Sequence, residues 1–195
     1  MPRAGLNRAA VVEAAATLVD EEGAGEELSL ARLAERLGVR KPSLYNHVGG
    51  VGDLRRELAL VGLRELGRSL SRAVVGRGGE EGLFALAEAY RSFVKERPGL
   101  YEATVRSYRL YAPEDPGLGA AEGETLEPVL AVLDSLGIRD EEAIHAARGL
   151  RSVAHGFATL EEAEGFGMDV DQDESFRRLV CAFVDGLSER PPSGI

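Results

Sequence analysis

Apolar residues recur every three or four positions along most of the chain, which is the spacing that gives an α-helix one buried face. In the first segment the repeat runs through Val11, Ala14 and Leu18, and it returns in the long segment from Asp140 to about Glu164. The alternation of apolar and polar residues that a half-buried strand requires is not found in the sequence. The chain is therefore predicted to be all-α, with about nine helices.

Two of the predicted helices are very short and follow each other closely. The first begins after Ser29, a good N-cap, and ends at Gly38, which can adopt a left-handed turn. Its apolar face consists of Leu30, Leu33, Ala34 and Leu37. The second runs from about Lys41 to His47, with Pro42 tolerated in its first turn. Helices of about two turns are not stable alone in water, so apolar neighbours must support them.

The second short helix has a polar surface without acidic residues, formed by Arg40, Lys41, Ser43, Tyr45, Asn46 and His47. Such a surface suits a DNA groove, which is lined by phosphates. The charge distribution adds modest support. Residues 1–77 contain 12 Lys or Arg against 10 Asp or Glu, whereas residues 78–195 contain 11 against 23. The total charge of −10 therefore hides an asymmetry, which indicates different partners for the two parts.

The stretch LSLARLAERLGVRKPSLYNHV, residues 28–48, resembles the helix-turn-helix of the tetracycline-repressor (TetR) family. The resemblance lies in the small Ala34, the turn Gly38-Val39, the core Pro42-Ser43-Leu44-Tyr45 and the pair His47-Val48. It implies that the side chains of Ser29, Tyr45 and His47 contact backbone phosphates. It also implies that Arg40, Lys41, Pro42, Ser43 and Asn46 face bases or their flanks, where sequence is read.

The sequence departs from this family at the start of the fourth helix. The family usually has a basic residue there, whereas this chain has VGGVGDL with Val51 at that position. One phosphate contact is therefore missing. We expect weaker operator binding, or a contact supplied instead by Arg55 or Arg56.

The glycine-rich stretch GRGGEEG, residues 76–82, predicts a boundary between two domains. Residues 1–50 are expected to form the DNA-binding domain, and residues 51–77 a connecting helix. Residues 78–195 are expected to form a helical domain for ligand binding and dimerisation.

The segment 151–187 resembles the C-terminal domain of one TetR subgroup, which is named for a Trp-His-Gly motif. His155 and Gly156 match this motif, but the chain contains no Trp. In the family, the last two long helices pair with those of a second subunit. The resemblance and the amount of apolar surface predict a homodimer whose interface includes Leu150, Phe157, Phe176, Val180, Phe183 and Leu187.

The TetR resemblance also implies a mostly apolar cavity for a small-molecule effector in the C-terminal part. Aromatic residues with polar ends suit its lining. The candidates are Phe84, Tyr90, Phe93, Tyr101, Tyr108 and His155. Each Tyr fits a core position equally well, and His155 also fits a subunit interface.

Catalytic and metal chemistry find little support in the sequence. Glu141 and His145 lie four residues apart but lack a third ligand, and the acidic tract near Asp169 lacks the pattern of a calcium loop. We therefore expect no enzyme, metal or cofactor. Cys181 lies on an apolar helical stripe, as a buried, unreactive thiol would. The apolar runs are too short to cross a membrane, and a cytoplasmic location is expected.

Together these features predict a DNA-binding transcriptional regulator. The hypothesis is a repressor that leaves a near-palindromic operator when a small hydrophobic effector shifts the connecting helix. The alternative is a helical protein that binds small molecules or acts as a scaffold and has lost high-affinity DNA binding. An enzyme is a more distant third.

Overall fold

Helices account for all regular secondary structure in the residues that the computed structural model describes, 6–23, 28–105 and 114–188. There are nine of them in these ranges. In chain order they are α1 Arg8–Glu22, α2 Leu30–Leu37, α3 Lys41–Leu44, α4 Val51–Ala73, α5 Gly79–Glu96, α6 Pro98–Val105, α7 Pro116–Ser135, α8 Asp140–Glu162 and α9 Gln172–Ser188. The predicted all-α class is confirmed.

The chain separates into two compact units. The first contains Met1–Glu65 and Arg97–Glu122, and the second contains Leu66–Glu96 and Gly123–Ile195. Helices α4 and α7 contribute residues to both. These units group residues by contact rather than by role, so the functional division into residues 1–50, 51–77 and 78–195 remains a prediction.

Local signals set the helix ends in the first unit. The side chain of Asn7 caps α1 by accepting a hydrogen bond from the backbone N–H of Ala10 at 2.9 Å. Ser29 caps α2 in the same way, accepting from the N–H of Arg32 at 3.5 Å. Gly38 ends α2 in the left-handed conformation, with φ of 66°, as the sequence predicts. The chain can therefore turn within two residues and enter α3.

Helix α6 is packed against the end of α1. The backbone N–H of Leu100 donates to the Asp20 carboxylate at 2.8 Å, and the Arg97 guanidinium pairs with the same carboxylate at 2.6 Å. A Cβ atom at Gly99 would lie 2.1 Å from the carbonyl oxygen of Val19. Only glycine allows the two backbones to approach this closely.

Replacing Gly99 by Ala is expected to lower the free energy of unfolding by about 1–3 kcal/mol, because the added Cβ would collide with the backbone of α1. Urea denaturation followed by circular dichroism measures this change. Gly119→Ala is the matched control, since a Cβ at that helical position meets nothing within 4 Å. Equal stability of G99A and the wild type would contradict the close packing of α6 on α1.

Helix α7 begins earlier than the sequence predicts. The Pro, Gly and acidic content of residues 112–124 predicts a loop, with Pro128 in the first turn of the next helix, but α7 already starts at Pro116 and contains Pro128. The prediction is wrong from Pro116 onward. The Asp115 carboxylate caps this helix end, and burial stabilises its first turns through a cluster formed by Ala59, Leu60, Leu63, Leu118 and Ala121.

In the second unit, α5, α8 and α9 pack around a buried arginine. The Arg91 side chain pairs with Glu161 at 2.7 Å and with Asp173 at 2.8 Å. Its guanidinium carbon lies 4.9 Å from the centre of the Phe176 ring and 5.4 Å from that of Phe157. The pKa of Glu161 is lowered, chiefly by its hydrogen bonds from Arg91. The sequence favours Asp173 as the cap of α9, but Asp173 is an ion-pair partner of Arg91. The cap is Asp171, whose carboxylate accepts from the N–H of Glu174.

The predicted subunit-interface residues fall into two groups. Four are buried within the single chain, namely Leu150, Phe157, Phe176 and Val180. Phe183 and Leu187 are half-buried. The expectation that these side chains exceed what one small domain would readily hide is wrong for the first four, because packing within the second unit already covers them. Their contribution to a dimer interface stays a prediction.

Candidate nucleic-acid interface

Helix α3 presents a polar surface on an apolar base. Leu44 is completely buried and Val48 nearly so, whereas the Tyr45 side chain is 54% exposed. The exposed neighbours of Tyr45 are Arg40, Lys41, Pro42 and Asn46, and Ser43 and His47 are half-buried. We call the side chains of residues 40–43 and 45–47 the recognition face. The structure therefore brings together every predicted DNA contact except Ser29.

Ser29 lies outside the recognition face, at the amino end of α2. Its hydroxyl oxygen caps that helix, so one structural role is already assigned to it. The hydroxyl is half-buried and could still donate its proton to a phosphate. Contact between Ser29 and DNA stays a prediction.

Two ion pairs connect the end of α1 to α2. The guanidinium of Arg36 pairs with the carboxylate of Glu21, and that of Arg32 pairs with Glu22 at 2.8 Å. The pKa of Glu21 is lowered because its carboxylate accepts hydrogen bonds from Arg36. These contacts hold α2, which in turn supports α3 across the Gly38 turn.

A third contact, missed by the sequence reasoning, joins α1 to the α3–α4 connection. One terminal nitrogen of Arg8 donates to the carbonyl oxygen of His47 and to Asp53, both at 2.9 Å. The other donates to Asp53 and to Glu57, both at 2.8 Å. The pKa of Asp53 is lowered, first by the hydrogen bonds from Arg8. Nothing in the local sequence around Arg8 signals this contact, because its partners are 39 to 49 residues away.

The comparisons with known proteins agree with this geometry. Residues 83–183 match the family model described as the tetracyclin repressor-like C-terminal domain. The chain belongs to the tetracycline-repressor family. It is 38% identical, over 95% of each chain, to an uncharacterized HTH-type transcriptional regulator of Bacillus subtilis, YobS. It is 37% identical to another such regulator, from Mycobacterium tuberculosis, over 97% of this chain and 85% of that protein.

Solved structures of the tetracycline-repressor fold superpose on the chain. A protein of unknown function from Rhodococcus sp. RHA1 gives a TM-score of 0.76 at 25% identity, covering 95% of this chain and 98% of that one. A tetracycline-repressor variant from Acinetobacter baumannii, in complex with minocycline, gives 0.70 at 22% identity with the same coverage. The superpositions agree in fold, and the relatives of 37% and 38% identity show that the chain is a helix-turn-helix transcriptional regulator, as the sequence predicts. The finer Trp-His-Gly subgroup stays a prediction, because the matching description covers tetracycline-repressor-like C-terminal domains in general.

The first turn of α4 lacks the basic residue that the tetracycline-repressor family usually has there. Val51 opens the helix as predicted, and its first turn contains an acidic residue, Asp53. Arg56, one of two expected substitutes for the missing basic residue, pairs with Asp115 at 2.6 Å and with Glu57 at 2.5 Å. The Arg56 guanidinium is therefore already held within the protein, and a substitute phosphate contact from Arg55 or Arg56 stays a prediction.

The Asp115 carboxylate is held by donors on two sides. Besides the Arg56 guanidinium, the backbone N–H groups of Gly117 and Leu118 donate to it at 2.8 and 3.0 Å. The hydrogen bonds from Arg56 are the main reason that the pKa of Asp115 is lowered from 3.8 to about 2. A carboxylate whose pKa is lower in the folded than in the unfolded state stabilises the fold. This stabilisation is complete at a pH above the unfolded-state pKa and is lost as the pH falls through the folded-state pKa.

Asp115→Asn is accordingly expected to make the free energy of unfolding less dependent on pH between 3.8 and about 2. The variant should also be less stable than the wild type near neutral pH, because the Arg56 guanidinium loses its charged partner. Urea denaturation at several pH values measures both effects. Asp169→Asn, at an exposed loop position, is the control. An Asp115→Asn profile parallel to that of the wild type would contradict the assignment.

The expected effector residues lie in both units. Tyr90 and Phe93 on α5 are buried in the second unit, and Phe84 is half-buried there. His155 on α8 is half-buried, and its pKa is lowered by desolvation and by the charge of Arg151. Tyr101 is buried in the first unit, on α6, and Tyr108 lies outside the described residues.

Metal-binding clusters and membrane-spanning helices are both absent from the described ranges. No group of three or more His, Cys, Asp or Glu side chains there is arranged to hold a metal ion. Glu141 and His145 lie 3.8 Å apart as an exposed pair. None of the described helices has the length and apolar character needed to cross a membrane.

Proposed function

We propose that the chain is a homodimeric repressor that binds a near-palindromic operator through its recognition face and releases it on binding a small hydrophobic effector. The observation that carries the DNA contact is the exposure of the recognition face. Arg40 and Lys41 extend from it into solvent, and Leu44 anchors it from below. In this proposal, Ser29, Tyr45 and His47 contact phosphates, and residues 40–43 and Asn46 face bases or their flanks.

Charge balance supports the same proposal. Several arginines of the first unit are paired with carboxylates, as Arg8, Arg32, Arg36 and Arg56 are. Among the described residues, Arg40 and Lys41 have no carboxylate within ion-pair distance. Their charges are therefore available to neutralise phosphates.

The double variant Lys41→Ala/Tyr45→Ala is expected to bind operator about a hundredfold more weakly, because a cation and a hydroxyl that hydrogen-bonds a phosphate are both lost. The operator is first selected from a random duplex library by the wild-type chain. Fluorescence anisotropy at several salt concentrations then measures affinity, and the salt dependence should fall by about one unit. Since both side chains are exposed, the fold should be unchanged by circular dichroism.

Arg77→Ala provides the matched control for the loss of one positive charge. Arg77 forms an exposed pair with Glu81 outside the recognition face, so its removal should leave DNA affinity unchanged. Wild-type affinity in the Lys41/Tyr45 double variant would reject the recognition face. Failure of the wild type to select any duplex would favour the alternative, a helical small-molecule binding or scaffolding protein.

Dimerisation is proposed through α8 and α9. Two of the predicted interface residues, Phe183 and Leu187, are only half covered by their own chain. The same two helices also carry exposed apolar side chains, Leu160 on α8 and Leu179 on α9. A two-fold pair of such helices would hide this surface. A dimer that reads successive turns of the major groove needs two recognition faces about 34–36 Å apart.

Leu187→Glu is therefore expected to weaken the dimer at least about tenfold, because a charge would be buried at the subunit contact. Sedimentation velocity over a range of concentrations measures the association. Val75→Glu introduces the same charge at a residue that is 78% exposed and should leave the dimer intact. A dimer of unchanged strength in Leu187→Glu would remove this part of α9 from the interface.

The effector is proposed to be small and mostly hydrophobic. Support comes from the aromatic side chains of Phe84, Tyr90 and Phe93 on α5, which packs against α8, where His155 lies. Desolvation lowers the pKa of His155 and so favours its neutral ring, which suits contact with an uncharged ligand. Tyr101 and Tyr108 remain expected contacts.

A further inference from the structure

We propose that Arg8 is a positioning residue for DNA binding. Its guanidinium fixes the path of the chain between α3 and α4 and thereby sets the direction of the recognition face. This inference rests on the proposed contact between that face and DNA. It assigns a role in recognition to a residue on α1, outside the helix-turn-helix motif itself.

The contacts of Arg8 converge on the exit from α3. It holds the carbonyl oxygen of His47, the last residue of the recognition face, at 2.9 Å. It also holds both oxygens of Asp53, in the first turn of α4, at 2.8 and 2.9 Å. Asp53 in turn accepts from the backbone N–H of Gly49 at 2.8 Å. One guanidinium thus fixes both ends of the connection between the two helices.

This connection has few restraints of its own. Helix α3 has only four residues, too few to be stable alone. It is followed by the pair Gly49-Gly50, and Gly50 has a φ of 116°, a conformation that few other residues adopt. Loss of the Arg8 contacts would therefore allow α3 to change its direction while Leu44 and Val48 still anchor it.

The geometry favours positioning over direct contact with phosphate. The two terminal nitrogens of Arg8 already make four hydrogen bonds within the protein, three of them to carboxylates. Two carboxylates, Asp53 and Glu57, hold Arg8, and Glu57 also pairs with Arg56. A phosphate would have to compete with two carboxylates for the same donors.

A positioning residue and a phosphate contact affect DNA binding differently. A phosphate contact strengthens binding to every sequence alike and contributes about one unit to the salt dependence. A positioning residue aligns side chains with base edges, so it acts mainly on the preference for the operator. The decisive quantity is the ratio of affinities for the selected operator and for a scrambled duplex of the same length and composition.

Arg8→Lys tests the proposal with the charge retained. Lysine cannot form the same fork to His47, Asp53 and Glu57, so the operator preference should fall about tenfold, with the salt dependence for the scrambled duplex unchanged. Arg8→Ala should lower the preference at least as much. Circular dichroism and thermal unfolding, measured alongside, identify a temperature at which each variant is fully folded.

Asp53→Asn separates positioning from simple electrostatics. The amide oxygen can still accept from Gly49, but one of the two charged partners of Arg8 is lost, and Glu57 remains. Removal of a negative charge alone would tighten binding to both duplexes. The proposal instead requires a lower operator preference, whether or not overall binding becomes tighter. Arg77→Ala should leave the preference at its wild-type value.

Several outcomes would overturn the proposal. An unchanged operator preference in Arg8→Lys and Asp53→Asn would reject a positioning role while leaving the recognition face intact. An equal loss of affinity for both duplexes in Arg8→Ala, with the salt dependence reduced by about one unit, would make Arg8 a phosphate contact instead. Failure of the wild type to select any duplex would reject the DNA interface itself, and the role of Arg8 with it.

Discussion

The most demanding constraint in this protein is that a helix of four residues must keep one direction. Helix α3 forms too few internal hydrogen bonds to be stable alone, so its neighbours must hold it. Burial of Leu44 anchors it from below, the Gly38 turn sets its approach, and Arg8 fixes its exit. Most of the first unit is understandable as support for this short segment. An exposed polar face on a fixed base is what distinguishes a DNA-reading element from a surface loop.

The fold class and the helix-turn-helix were predictable because their signals are local. The cap at Ser29 and the left-handed Gly38 depend on residues within one helical turn, and the sequence alone reveals them. The beginning of α7 was not predictable in this way. Its composition of Pro and Gly indicates a loop, but burial of Leu118 and Ala121 against α4 stabilises a helix there. Tertiary packing outweighs local propensity at this position.

Burial also explains why the interface predictions divide. An apolar residue at helical spacing fits a core or a subunit contact equally well, and the pattern does not distinguish them. The Arg91 side chain of the same chain packs against the rings of Phe157 and Phe176. Arg91 lies 66 residues before Phe157 in the sequence, so a local pattern does not reveal this contact. The same limit hides the role of Arg8. Contacts between distant residues become visible only once the helices are placed.

A net charge of −10 is compatible with DNA binding because a bound phosphate interacts mainly with the charged side chains close to it. Carboxylates of the first unit neutralise arginines that stabilise its packing, such as the pairing of Arg56 with Asp115 and of Arg36 with Glu21. The cations of the recognition face lie apart from these pairs. A phosphate near Lys41 is screened from distant acids beyond about 10 Å at 0.1 M salt, so the local arrangement decides its binding. Net charge is therefore a weaker guide to the partner than the positions of the uncompensated cations.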